Sequence, residues 1–143
     1  MDIFKPLEKY TWKAEGNWGD GSKFKQEIEL SFSLQGNLVE VESMGFTNSE
    51  QTEFGMRNHG VRQFDKESGA IRFWEFDVFG GVTKGTVKGE DRNLVYVYEY
   101  GGATVTEMWI YKDPKTYTYI VGMHENGKWS QKFLETEFKG FKK

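Results

Sequence analysis

Phe24-Lys25-Gln26-Glu27-Ile28-Glu29-Leu30-Ser31-Phe32-Ser33-Leu34 alternates between two faces: Phe24, Ile28, Leu30, Phe32 and Leu34 fall on one, and Lys25, Glu27, Glu29, Ser31 and Ser33 on the other. A period of two predicts a β-strand with one buried and one wet face. Just upstream, Trp12, Ala14, Gly16 and Trp18 share a face opposite Lys13, Glu15 and Asn17, where the small residues relieve crowding or permit a bend. Between the two strands lies Gly19-Asp20-Gly21, the first of nine turn signals. The others are Gln35-Gly36-Asn37, Asn48-Ser49-Glu50, Asp65-Lys66-Glu67-Ser68-Gly69, Gly80-Gly81, Gly89-Glu90-Asp91, Gly101-Gly102, Asp113-Pro114-Lys115 and Glu125-Asn126-Gly127. Nine breaks between segments rich in aromatic and β-branched residues predict about ten strands.

Connections of about two to five residues are too short for the crossovers that parallel neighbours require, so the strands are expected to be antiparallel and to run up and down. About ten strands with an apolar face must curl or split into two layers to bury it. Closure also removes the exposed edges, which favours a barrel over a sandwich. Pro6 suits a short helical turn over residues 4 to 9, able to plug one barrel end.

At 143 residues the chain fits one domain spanning 1–143, with no internal repeat or linker. Its 12 Phe, 7 Tyr and 5 Trp make 17% aromatic residues, so the interior is expected to be bulky. The absence of cysteine removes disulfide scaffolds, thiolate metal sites and cysteine nucleophiles. A net charge of −3, with Lys and Glu alternating along strands, lacks the basic stripe of a nucleic-acid binder. The opening Met1-Asp2-Ile3-Phe4-Lys5-Pro6 shows no secretion-signal pattern and no later run reaches the roughly 20 apolar residues of a membrane helix. The expectation is a cytoplasmic protein without membrane or nucleic-acid partners.

Some strands are apolar on both faces. Leu94, Tyr96, Tyr98 and Tyr100 oppose Val95, Val97 and Glu99, while Ile71, Phe73 and Phe79 oppose Trp74, Phe76 and Val78. The outer wall there is expected to be covered, by the N-terminal segment, a lid or a second subunit, so a homodimer is one of the expected arrangements.

Chemistry-bearing residues are few. Arg57, His59 and Val61 share a face, and the two cationic side chains suit a carboxylate if they point inward; otherwise His59 is a wall histidine near the rim. Arg72 alternates with Trp74 and Phe76, and Glu107 lies between Val105 and Trp109. Inside, each charge needs a partner or a ligand head group; outside, the Arg72 stem merely covers aromatic surface. Tyr96, Tyr98, Tyr100, Tyr117 and Tyr119 offer apolar bulk with polar tips, either as cavity wall or as core filling. His124 beside the Glu125-Asn126-Gly127 turn reads as exposed, and the two histidines form no metal-ligand spacing. No P-loop, dinucleotide fingerprint or Ser-His-Asp order is present.

Three stretches carry a resemblance: Pro6-Leu7-Glu8-Lys9-Tyr10-Thr11-Trp12-Lys13-Ala14-Glu15-Gly16 with the Glu-rich strand that follows, Asn58 through Trp74, and Asn126-Gly127-Lys128-Trp129. They resemble the lipocalin-like (calycin) family of small bacterial barrels, distantly similar to nitrobindin-type proteins. The resemblance implies a ten-stranded calycin-like barrel with an internal cavity and, for nitrobindins, haem held by a histidine on the last strand. Here that strand reads Trp129-Ser130-Gln131-Lys132-Phe133-Leu134-Glu135-Thr136-Glu137-Phe138, with Lys132 or Phe133 where the ligand would stand. A lysine must first lose its proton and phenylalanine cannot ligate iron, so no cofactor is expected.

The expected function is binding of a small apolar or amphipathic molecule, with Arg57, His59, Arg72, Trp74, Tyr98, Trp109, Tyr119 and Gln131 as the candidate ligand-binding set. The alternatives are a lyase- or isomerase-type barrel enzyme acting on a small carboxylic acid, and a structural or partner-binding module.

Overall fold

The structure, a computed structural model, describes residues Met1–Lys143. Ten strands follow one another: β1 (Tyr10–Asn17), β2 (Lys23–Ser33), β3 (Leu38–Phe46), β4 (Phe54–Asp65), β5 (Ala70–Asp77), β6 (Val82–Glu90), β7 (Asn93–Tyr100), β8 (Ala103–Asp113), β9 (Thr116–Glu125) and β10 (Lys128–Lys142). Each pairs antiparallel with the next, and β1 pairs with β10, so the sheet closes on itself as an up-and-down barrel. All nine turn signals fall between strands or at their ends. Short connections dictate the meander, and closure leaves no backbone edge unpaired.

Alternation sets the inside. Phe24, Ile28 and Leu30 of β2 are buried, as are Trp12 and Ala14 of β1 and Val39, Val41 and Ser43 of β3. On β5 the pattern inverts what side-chain polarity alone would say: Phe73 is 3% exposed, whereas Phe76, on the opposite face, is 48% exposed. The inward set of that strand is therefore Ile71, Phe73, Glu75 and Asp77. Val95 and Ile120 are buried although they lie outside the interior core cluster, because outward side chains on β7, β8 and β9 cover one another.

In a meander, the turns after β1, β3, β5, β7 and β9 gather at one end and the remaining turns at the other. The second end is plugged by a 3-10 helix, Asp2–Leu7, whose Phe4 and Leu7 are 0% and 1% exposed. Burying two such side chains is worth about 1.5–3 kcal/mol each. The plug is also tied by polarity, since the Trp12 indole N–H donates to the Leu7 carbonyl at 2.9 Å. Above it lies an aromatic floor: Trp109 stacks on Phe138 at 4.3 Å, and Trp12 meets Tyr117 edge-on at 5.2 Å.

β10 is the longest strand, and its pairing with β9 slips twice, between Trp129 and Gln131 and between Lys132 and Leu134. Gly122 of β9 lies against this irregular stretch, where an added Cβ would sit 2.1 Å from the Gln131 carbonyl oxygen. Only glycine admits so close a backbone approach. The slips re-aim side chains near the open end, bringing Gln131, Lys132 and Phe133 to the cavity lining. No helix is long and apolar enough to cross a membrane.

Candidate functional site

Between the aromatic floor and the unplugged end lies a cavity of about 970 Å³. Trp18, Asp20 and Ser22 from the β1–β2 turn, Arg57, Asp77, Tyr100 and Lys132 surround its mouth. Ile28, Leu30, Val41, Phe73, Val105 and Val121 supply apolar wall from five strands, because each occupies an inward position of its own strand. Hydrophobic residues are 15 of the 29 in the lining, so the cavity offers apolar wall and polar groups together, as small-molecule sites do.

The polar groups form two linked clusters. Arg62 of β4 is 5% exposed. Its Nη2 donates to Glu75 Oε1 at 2.5 Å, its Nε to the Tyr96 hydroxyl at 3.2 Å, and its Nη1 to the Val61 carbonyl at 3.4 Å. The guanidinium also lies 5.4 Å from the Phe73 ring centre and 5.1 Å from that of Tyr96. Burial disfavours its charge, but Tyr96 and Glu75 outweigh that and hold the guanidinium protonated. Room for the Glu75 carboxylate comes from Gly60 directly opposite, where a Cβ would lie 2.5 Å from the carboxyl carbon.

The second cluster centres on Glu107 of β8. Tyr98 donates its phenol to Glu107 Oε1 at 2.9 Å, and the Tyr119 phenol engages the same carboxyl. Tyr96 faces Glu107 across the β7–β8 ladder and so connects the clusters. Burial pushes the Glu107 carboxyl up from its ordinary value, and the phenol hydrogen bonds only partly offset this. Burial likewise raises Tyr98 and Tyr119, with Glu107 adding to both shifts. Two buried side-chain oxygens have no hydrogen-bond partner, Glu75 Oε2 and Asn58 Oδ1.

Of the residues expected from sequence, Arg57, Tyr98, Trp109, Tyr119 and Gln131 line the cavity, with Trp109 and Tyr119 deep and Arg57 and Gln131 near the mouth. Tyr98 and Tyr119 are brought together on Glu107. His59, Arg72 and Trp74 are not part of the lining. His59 is exposed beside the inward Asn58 and Gly60, and is paired across the ladder with the exposed Phe76. Arg72 and Trp74 share the outer face of β5, where the guanidinium lies 6.0 Å from the Trp74 ring and 3.8 Å from Asp65. The correction follows from register, since the inward positions of β4 and β5 include Gly60, Arg62, Phe73 and Glu75. Arg62, Glu75 and Asn58 were missed, because Glu75 sits between Trp74 and Phe76 and reads as the wet side of an amphipathic strand. The signal available was Phe73, whose face Glu75 shares.

The haem implied by the nitrobindin resemblance does not fit these residues. His59 points outward, His124 packs edge-on against Trp129 at 4.8 Å, and neither lines the cavity. Lys132 is paired with Glu135 at 2.9 Å.

No family model matches the chain, and no curated protein matches its sequence. Its fold is similar to the solved structure of a de novo designed fluorescence-activating β-barrel, with 13% sequence identity and a TM-score of 0.51 over 99% of this chain and 100% of the other. At that identity the likeness is one of fold alone.

Proposed function

We propose that the barrel binds a small apolar or amphipathic molecule in its interior. The observation that carries this reading is the cavity of about 970 Å³, plugged at one end and walled by apolar side chains from many strands. A similar fold in a designed fluorescence-activating barrel agrees with it. The apolar body of a ligand would lie against Phe73, Val105 and Ile28, with Tyr98, Tyr119, Trp109, Arg57 and Gln131 as further contacts. Titration with the neutral dye Nile red tests the reading. Saturable one-to-one binding is expected, and it should weaken in Val105→Trp, which narrows the cavity while keeping an apolar inward side chain. A folded protein that takes up no apolar probe would sink the idea.

One observation favours a second reading, a barrel enzyme that moves a proton. Glu107 has a raised pKa, faces the cavity and touches two phenols, the setting that poises a carboxyl as a general acid or base. Solvent deuterium exchange into a panel of small carboxylic acids, followed by NMR, would reveal such chemistry. Turnover that vanishes in Glu107→Gln while Nile red still binds would favour the enzyme.

A further inference from the structure

The polar groups of the interior are unevenly supplied with partners. Every nitrogen of the Arg62 guanidinium already donates, and the group lies near two aromatic rings. Arg57 donates to the Phe46 carbonyl and lies 5.0 Å from the Phe79 ring, while Lys132 is engaged by Glu135. Each cationic side chain lining the cavity thus has at least one acceptor, whereas two buried acceptors in the same wall have no donor at all.

Glu75 Oε2 and Asn58 Oδ1 are both buried and without a donor. They lie in one patch of wall: Asn58 is two residues from Gly60 on β4, and Gly60 faces Glu75 on β5. An orphaned buried acceptor carries a desolvation cost that nothing repays, so a ligand group that satisfies it gains affinity and specificity. Asp77, opposite Asn58, accepts from the Phe79 and Gly81 amides of the β5–β6 turn through one carboxylate oxygen, Oδ1, which ties that side chain to the turn.

Resting on the ligand-binding reading above, we infer that the ligand carries a hydrogen-bond-donating head, of the amine or ammonium class, which docks on Glu75 Oε2 and Asn58 Oδ1 while its apolar body fills the aromatic cavity. A carboxylate head placed on this patch meets the unpaired Glu75 oxygen. This differs from the acidic ligand end expected from sequence, for which Arg57, His59 and Arg72 were the anchors: Arg57 lines the cavity, while Arg72 and His59 point outward.

Three probes sharing one ring system test it: 1-naphthylmethylamine, 1-naphthoate and 1-methylnaphthalene, each titrated calorimetrically into the full chain at neutral pH. The amine is expected to bind at least tenfold more tightly than the other two. Asn58→Leu should reduce that preference several-fold and leave 1-methylnaphthalene affinity nearly unchanged. Glu75→Gln should reduce it further; the Asn58 variant keeps the test intact if loss of the carboxylate beside Arg62 prevents folding. Equal affinities, or tighter binding of 1-naphthoate, would overturn the donor-head inference while leaving the barrel a binder. Failure of all three probes to bind a folded protein would overturn the binding reading itself, and the inference with it.

Discussion

Arg62 and Glu75 form an ion pair inside the barrel wall, Nη2 to Oε1 at 2.5 Å, with side chains only 6% and 16% exposed. A pair so placed contributes little relative to apolar residues of the same shape, yet breaking it strands a charge. Arg62→Met should therefore cost about 3–5 kcal/mol in urea unfolding. The double variant Arg62→Met/Glu75→Leu should recover most of the loss. A double variant as unstable as the single one would show that shape, not charge, holds this wall.

Glu107 should make stability depend on pH in the direction opposite to a surface carboxylate. Its folded pKa is raised above the ordinary 4.5, so the folded chain keeps a proton that the unfolded chain releases. This contribution is complete below the unfolded value and is lost as pH rises through the folded one, with a slope of up to about 1.4 kcal/mol per pH unit. Urea midpoints from pH 4 upward should fall more steeply in the parent than in Glu107→Gln. Parallel profiles would remove Glu107 as the source.

His59→Ala and Arg72→Ala test the outward register directly. Each should change stability by no more than about 0.5 kcal/mol and leave Nile red affinity unaltered. A marked loss of probe binding in either would place that side chain at the cavity after all.

Trp12→Phe should loosen the plug. It keeps an aromatic ring in the floor but leaves the Leu7 carbonyl without its indole donor, at a cost of about 1–3 kcal/mol. Hydrogen exchange at the Phe4 and Glu8 amides, which bond to the Met1 and Lys5 carbonyls, should quicken more than exchange in β7 or β8. Uniform protection across the chain would mean that the plug does not open on its own.

The turns were legible because each is written locally, in Gly, Asn, Asp or Pro chemistry that strands avoid; a plugging helical turn was expected over residues 4 to 9 from Pro6, whereas it runs over Asp2–Leu7 with Pro6 in its last turn. β1 and β2 showed their inward faces because their outward faces meet water. β5 did not, since Trp74 and Phe76 look like core and Glu75 like surface, and only the three-dimensional pairing of Glu75 with Arg62 on β4 makes an inward carboxylate tolerable. The same masking hid Arg62 between Val61 and Gln63. Tyr98 and Glu107 were each recognisable as facing large neighbours, but their meeting depends on the β7–β8 register, which sequence alternation leaves free to shift.

The β1–β10 seam gives the barrel a single distant appointment. Every other strand finds its partner across a short turn, so those hairpins can zip in succession at small entropic expense, whereas Tyr10 must meet Lys142 across almost the whole chain. Loop-closure entropy grows only logarithmically with length, so the seam burdens the rate of folding more than its equilibrium. Until it closes, Trp12 and Phe138 lie on opposite borders of an open sheet and the cavity has no enclosed volume. Binding competence should therefore appear as one late kinetic phase, after most of the strand signal has already developed.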